Sequence, residues 1–313
     1  MDRVPSLDLR RFETDRTAFI SEVGQAYREL GFCTFSHHGI DLGLIDKTYD
    51  AFRNFFSLPL PTKMQYWSPE RSGKRGYTPF KVETAKNSAH PDLKEFFHIG
   101  REGVERSHPY AQFMLPNTWP LEAPGLLLNA LPLYVEMEKL GKRILKAMAL
   151  AIGLSEDFFD LVVSNGNSIL RGLHYPPVSS SDAPCIRAQA HEDISLITLL
   201  LGAQGGGLQL LSSQGSWIPV QAVENEIVVN VGDMMQRLTN HVYVSTTHRV
   251  INPQGAAAEK SRYSIPFFLD PNPDYLINTL PQCITTDNPN RYPSPITAND
   301  YLLSRLAEIK VSK

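Results

Sequence analysis

The hydrophobic positions of this chain repeat at two different periods, and the change of period divides the chain into two parts. Up to about residue 160, apolar residues recur every three or four positions, which is typical of helices packed on one side. This pattern predicts helices over residues 14–31, 44–59 and 131–154, with a short strand over residues 32–40. Gly31 and Pro59 are expected to end the first two helices.

From residue 168 onward, short apolar runs are separated by Gly, Asn, Asp and Pro, which predicts strands and turns. The predicted strands cover residues 168–175, 194–202, 207–212, 216–220, 226–233, 242–251 and 262–270. Short strands at regular spacing indicate a sandwich or a jelly-roll barrel, with the helices packed against one sheet. Gly232 and Asp233 are interpreted as a tight hairpin turn. A closing helix is predicted over residues 297–309.

Composition and charge narrow the classes of function. The 313 residues are 42% hydrophobic and 20% charged, with a net charge of -3, as in an ordinary globular protein. This balance argues against nucleic acid or an anionic membrane as partner. The longest apolar run, residues 194–201, is too short to span a bilayer. The three cysteines lie far apart, and the N-terminus does not look like a secretory signal, so we expect a cytoplasmic protein.

The segment "QAHEDISLITLLLG" (189–202) places ionisable residues directly before an apolar run. If it is a strand, His191 and Asp193 share a face and can bind one metal ion. His241 or His248 would supply a third ligand, and their spacing alone does not decide between them. Two histidines and one carboxylate are typical of non-haem Fe(II) oxygenases, although zinc and a purely structural polar pair are alternatives.

A second pair of polar residues, Arg262 and Ser264, shares one face of the last predicted strand. A guanidinium beside a hydroxyl is suited to bind a carboxylate. The alternative is an arginine that is paired to a structural Asp or Glu.

Six blocks of sequence, in order, resemble the isopenicillin N synthase-like branch of the Fe(II)/2-oxoglutarate-dependent dioxygenases. They are "HEDISLITLLL", "GGLQLL", "SWIPV", "VVNVGDMMQRLTN", "STTHRV" and "RYSIPFF". "VPSLDL", "YRELGFCTFSHHGI" and "LHYPP" extend the resemblance over nearly the whole chain. It implies a mainly β fold with flanking helices: a double-stranded β-helix (jelly-roll) core supported by N-terminal helices and a C-terminal helix.

The resemblance also implies the division of the chain and the roles of its residues. The N-terminal helical region would cover residues 1–115, linking helices 116–165, the jelly-roll core 166–272, and the C-terminal segment and helix 273–313. His191, Asp193 and His248 correspond to the metal ligands. Arg262 and Ser264 correspond to the 2-oxoglutarate site, as does Tyr175, although Leu173 stands where the family motif has Asn.

The activity implied is oxidation of a small-molecule metabolite, by hydroxylation or desaturation, with Fe(II), 2-oxoglutarate and dioxygen, giving succinate and carbon dioxide. No obligate protein partner is evident. One alternative is an Fe(II) oxidase that does not use 2-oxoglutarate, like isopenicillin N synthase or 1-aminocyclopropane-1-carboxylate oxidase. Another is a non-catalytic metabolite-binding module. The substrate would lie near residues 76–100 and the segment after Pro293, with candidate contacts from Tyr77, Lys94, Glu95, Phe96, Phe97 and Arg171.

Overall fold

The computed structural model describes residues 3–71, 73–86, 88–105, 107–201, 206–220 and 225–311. In these residues, helices α1 to α8 are Arg11–Thr14, Arg16–Glu29, Leu42–Phe56, Leu60–Met64, Leu131–Ala151, Phe158–Val162, Asp233–Leu238 and Ala298–Leu306. Strands β1 to β16 are Ser6–Asp8, Phe32–Ser36, Gly76–Thr78, Glu83–Thr84, Glu95–Gly100, Ile169–Tyr175, Ala188–His191, Ile197–Leu201, Leu208–Leu211, Trp217–Pro219, Ile227–Val231, His248–Val250, Arg262–Leu269, Leu276–Ile277, Ile296–Thr297 and Lys310–Val311.

Two sheets form the body of the molecule. The larger has the strand order β1-β2-β11-β8-β13-β6-β5-β3, and the smaller has the order β10-β9-β12-β7. All these neighbours are antiparallel except β1 and β2. Side chains of both sheets pack together in one apolar cluster, which includes Phe32 and Val228 from the larger sheet and Ala188 and Leu210 from the smaller. The sheets therefore face each other, as in a jelly roll.

The larger sheet separates the helices from the interior of the barrel. On β11, Ile227, Val229 and Val231 belong to the apolar core that also contains the buried residues of α2, α3 and α5. Val228 and Asn230, which alternate with them, face the smaller sheet and the cavity. Because both faces are covered, the strand is apolar almost throughout, and its few polar positions are informative.

The three helices predicted from the apolar period are confirmed as α2, α3 and α5. Gly31 follows α2 with a φ of 65°, and a β-carbon there would lie 2.1 Å from the carbonyl oxygen of Val244. Glycine is thus required by the close approach as well as by the left-handed backbone.

Thr297 caps α8, since its side chain accepts a hydrogen bond from the Asp300 N–H.

Three predictions for the second half were wrong. The segment from residue 189 to 202 is not one strand: β7 ends at His191, and β8 begins at Ile197 in the other sheet. Of the strand predicted over residues 242–251, only His248–Val250 is a strand. Gly232 and Asp233 are not a hairpin turn: Gly232 is the N-cap of α7 and Asp233 is its first residue.

None of the described helices is both long and apolar enough to cross a membrane.

The position of β11 between the helices and the barrel makes Val229 a test of this packing. Val229 is fully buried, whereas Val135 on α5 is 42% exposed. We expect Val229→Ala to lower the free energy of unfolding by about 2 to 3 kcal/mol, because it leaves a cavity in the core. Val135→Ala should change it by less than about 0.5 kcal/mol. Chemical denaturation of both variants measures this, and equal effects would contradict the assigned burial.

Candidate active site

The pairing of two strands brings two histidines together. β12 lies antiparallel to β7, and His248 is directly opposite His191 in the register. Their ring centroids are 4.4 Å apart. Asp193 follows two residues after β7 ends, and its Oδ1 lies 3.9 Å from the Nε2 atom of each histidine. The three residues offer ligand atoms that all lie within 4.8 Å of one another.

Backbone carbonyls determine which imidazole nitrogen is free. Nδ1 of His191 is 2.7 Å from the carbonyl oxygen of Gln189, and Nδ1 of His248 is 3.1 Å from that of Thr246. A carbonyl only accepts, so in both rings Nδ1 carries the hydrogen and donates it. Nε2 is then left with its lone pair directed at the space beside Asp193. Burial lowers the pKa of His191, and the neighbouring His248 lowers it further, which favours the neutral form that binds metals.

Asp193 is held as an ion with one oxygen free. Asn230 donates a hydrogen bond from Nδ2 to Oδ2 of Asp193 at 2.9 Å, so Oδ1 remains for the space between the histidines. Burial alone would raise the pKa of Asp193, but the positive charge that His248 and His191 carry when protonated and the Asn230 amide hold it below its ordinary value. Asn230 projects inward because it alternates with the helix-facing residues of β11.

The backbone around Asp193 is held by the N-terminus of α7. The N–H groups of Asp233 and Met234 donate to the carbonyls of Asp193 and Ile194, at 2.8 and 3.1 Å. The Gly232 N–H donates to Leu196 at 2.9 Å. A β-carbon on residue 232 would lie 2.1 Å from the Ser195 carbonyl oxygen, so only glycine permits this approach. The residues predicted to form a turn thus hold the backbone of the segment that carries Asp193 in place.

His241 lies away from this cluster. It follows α7 with a φ of 66°, and its Nε2 is 2.6 Å from the hydroxyl oxygen of Tyr292. Residues 241–247 do not form a strand, so the spacing of His241 and His248 says nothing about which of them reaches the metal site. The choice between them is made by the β7–β12 register instead.

Arg262, Ser264 and Tyr175 meet at the cavity wall. Arg262 is 2% exposed, its Nη1 donates to Oγ of Ser264 at 3.4 Å, and its guanidinium lies 4.8 Å from the centre of the Tyr175 ring. Nε donates to the carbonyl of Gly206. Within the described residues, no carboxylate lies within ion-pair distance of this guanidinium. A buried cation of this kind requires an anion from outside the protein.

A cavity of about 970 Å³ connects these residues. Side chains from both sheets, from the segments 83–86 and 88–94 and from helix α8 line it. Of the residues expected near the substrate, Lys94, Phe96 and Arg171 line the cavity.

Tyr77, Glu95 and Phe97 lie on the opposite face of the sheet, so their expected place at the substrate was wrong. Phe97 packs on the ring of Phe55 at 4.8 Å, and Glu95 pairs with Lys63 at 2.8 Å. The cause is the strand period, which turns the odd-numbered residues of β5 towards the helices.

Comparison with known proteins gives consistent results over the whole chain. The profile of the 2OG-Fe(II) oxygenase superfamily matches residues 166–271, and that of the "non-haem dioxygenase in morphine synthesis N-terminal" family matches residues 4–122. The 2-oxoglutarate-Fe(II) type oxidoreductase hxnY of Emericella nidulans is 36% identical, with 95% of this chain and 87% of that protein covered.

Solved structures agree in fold. A 2OG-Fe(II) oxygenase family protein from Caulobacter crescentus is 43% identical, with a TM-score of 0.91 over 98% of this chain and 99% of the other. A full-length Neurospora crassa protein in complex with alpha-KG is 30% identical, with a TM-score of 0.86 over 97% and 96%. The same Neurospora protein has also been solved with alpha-KG and thymine. This chain belongs to the Fe(II)/2-oxoglutarate-dependent oxygenases.

Membership in this family confirms several predictions. The fold is the double-stranded β-helix with flanking helices. The protein is an enzyme, an oxidoreductase of the 2-oxoglutarate-dependent dioxygenase type, and its cofactors are iron and 2-oxoglutarate. Small molecules are the ligands in the related structures. The donor set fits this chemistry, because two neutral imidazoles and one carboxylate suit Fe(II) and leave ligand positions open.

Arg187 and Asp270 are buried charged residues of this oxygenase that were not predicted from the sequence. Arg187 is 2% exposed and lies 6.0 Å from the Tyr175 ring, and burial together with the charge of Arg262 lowers its pKa to about 10. Asp270 lines the cavity directly after β13. Asp270 could have been predicted from the sequence, because it is an acidic residue at the end of the apolar run "IPFFLD". For Arg187 we see no such signal.

The hydrogen bond from Asn230 generates a prediction about metal affinity. We expect Asn230→Ala to weaken Fe(II) binding on the order of 10- to 100-fold, because Asp193 loses the donor that orients it. Anaerobic titration of the metal-free protein measures the dissociation constant. Asn129→Ala is the matched control, since the Asn129 amide only donates to Gly125 near the start of α5. Unchanged affinity in Asn230→Ala would show that Asp193 needs no support.

Proposed function

We propose that His191, Asp193 and His248 bind the Fe(II) ion of this oxygenase. Arg262 and Ser264 bind the far carboxylate of 2-oxoglutarate, and Tyr175 packs against the same site. The oxygenase uses this site to hydroxylate or desaturate a small-molecule metabolite. The observation that carries the proposal is a shared cavity. It is bordered by three converging ligand atoms and by one buried guanidinium that has no ion-pair partner among the described residues.

Each residue has a separate task in this proposal. The two Nε2 atoms and Oδ1 of Asp193 would hold the Fe(II) ion at the cavity wall, where three protein ligands leave coordination positions for other molecules. Arg262 fixes the keto acid through charge and direction, and Ser264 adds a hydroxyl beside it. The bound iron and 2-oxoglutarate supply the oxidation, in which dioxygen is consumed and the keto acid is converted into succinate and carbon dioxide. The protein supplies orientation and keeps bulk water from the site.

The cavity supports a substrate of metabolite size. Its volume of about 970 Å³ is at the upper end of the range for small-molecule sites, which leaves space for both 2-oxoglutarate and a second compound. Its walls combine aromatic side chains such as Phe96 and Phe268 with charged ones such as Arg171 and Lys94. The thymine complex of the Neurospora crassa protein is an example of a small compound bound to a relative.

We also propose that the enzyme works in the cytoplasm. Cys33, Cys185 and Cys283 are all free thiols, which suits a reducing compartment.

Succinate formation tests the proposed function directly. The wild-type protein, loaded with Fe(II) and 2-oxoglutarate without oxygen and then exposed to oxygen, should release succinate even without its substrate, although slowly. Asp193→Ala should lower this release by at least about 100-fold, because the iron loses its only charged protein ligand. The measurement is succinate by mass spectrometry. Oxygen uptake without succinate would favour an isopenicillin N synthase-like oxidase, and no oxygen uptake with any substrate would favour a binding module.

Arg262 tests the keto acid site separately from the metal. Arg262→Ala should raise the 2-oxoglutarate concentration for half-maximal succinate release by about 30-fold or more, because a buried carboxylate loses its charged partner. Arg249→Ala is the matched control: Arg249 lies on β12 but stacks on Trp217 at 3.8 Å, away from the cavity lining. If Arg262→Ala changed only the affinity for the oxidised substrate, Arg262 would belong to the substrate site instead.

A further inference from the structure

The inner end of the cavity carries a carboxylate that the oxygenase reaction does not use. Asp270 is the residue directly after β13, is 7% exposed, and lines the cavity. Asn167 and Asn299 line the same cavity, and all three also line a recess of about 10 Å³ beside it. We call these three residues the polar end of the cavity.

The Asp270 carboxylate has no partner among the residues that the structure describes. Its backbone N–H donates to Oγ of Ser168 at 3.1 Å, but no hydrogen bond or ion pair reaches its side-chain oxygens. Other acids that line the cavity are paired: Asp92 and Glu83 with Lys94, each at 2.7 Å. The Asp270 oxygens are not sealed within the protein, so a partner can reach them from the cavity.

Arg75 is the cation whose charge acts on Asp270, but each of its three nitrogens donates to another acceptor. Its Nε donates to Leu115, its Nη1 to Lys74 and its Nη2 to Oδ1 of Asn167, at 3.0, 2.7 and 3.0 Å. Burial and the charge of Asp193 raise the pKa of Asp270 to about 8. Keeping an acid here therefore costs stability, which a structural role would not explain.

The neighbours of Asp270 indicate the kind of group that would bind. Asn299 stands at the start of α8, and its backbone N–H donates to Pro273, while no side-chain hydrogen bond to its amide occurs within the described residues. Asp270 offers a hydrogen-bond acceptor, and the side-chain amide of Asn299 beside it offers a donor. Together they complement a ligand that has an N–H next to a C=O. Amides and lactams present these two groups side by side.

We propose that Asp270 determines substrate specificity by accepting a hydrogen bond from an amide or lactam N–H, with the adjacent C=O directed at Asn299. The inference rests on the proposed function, since it names the substrate class of the same cavity. It predicts a nitrogen-containing metabolite whose amide edge occupies the polar end while another carbon faces the metal.

Three probes of one shape test this proposal: 2-piperidone, N-methyl-2-piperidone and δ-valerolactone. Binding to the protein loaded with 2-oxoglutarate is measured by ligand-observed NMR titration. Above about pH 8, where Asp270 is ionised, we expect 2-piperidone to bind wild type at least about tenfold more tightly than the other two, because only it donates to a carboxylate. Piperidine is added as a fourth probe, and tighter binding of this cationic amine than of 2-piperidone would overturn the amide assignment.

The variants separate recognition from structure. Asp270→Ala should abolish the preference for 2-piperidone over its N-methyl form, whereas Asp287→Asn, at an exposed acid, should retain it. Above about pH 8, where Asp270 is ionised, Asp270→Asn should have a Tm no lower than wild type, because it removes an unpaired buried charge. A lower Tm would indicate a structural ion pair with Arg75 and would overturn the proposal, as would a wild type without lactam preference. Wild-type succinate release is measured on the same samples, so its absence would count against the function and not against the lactam preference.

Discussion

The register between β7 and β12 is the constraint on which the rest of the site depends. It places His248 opposite His191, so two imidazoles meet without any contact between distant loops. Because side chains alternate along a strand, a shift of one residue would turn one of the two rings to the other face of the sheet. β12 also pairs with β9, with His248 opposite Leu210, so strands on both sides hold the register.

The third member of the cluster is held in a different way. Asp193 lies beyond the end of β7, where no strand partner positions it, and α7 takes over this task through its first N–H groups. The same helix start contacts α8, because Asp233 forms an ion pair with Arg305 at 2.8 Å. Arg305 and its neighbours on α8 line the cavity. A displacement of α8 would therefore also displace Asp193, because the Asp233–Arg305 ion pair and two backbone hydrogen bonds from α7 connect them.

The sequence pattern predicts the helices and most strands well, because each buries one continuous apolar face. It performs poorly where strands end. His191 and Asp193 were predicted to lie together because they would share one face of a strand. They do lie together, although they do not belong to one strand. Local spacing did not choose between His241 and His248, since the choice depends on pairing with β7, which lies far earlier in the chain. The resemblance supplied that long-range information. The resemblance did not point to Asp270. That residue stands out only in three dimensions, where its carboxylate has no partner among the described residues.

The distribution of charge explains why the cavity has two ends. Most ionisable residues in its wall neutralise one another, as Lys94 does with Glu83 and Asp92. Arg75, Arg262 and Asp270 differ, because none of them forms an ion pair among the described residues, and all are more than nine-tenths buried. Arg75 donates to uncharged acceptors, which leaves Arg262 and Asp270 open to a ligand. Arg262 is basic and Asp270 is acidic, and they lie at the two ends of β13, one at its first residue and one just beyond its last. Since β13 extends over eight residues, these charges lie at opposite ends of the barrel interior. An anionic cosubstrate bound by Arg262 and a hydrogen-bond-donating substrate bound by Asp270 would therefore lie towards opposite ends of this strand.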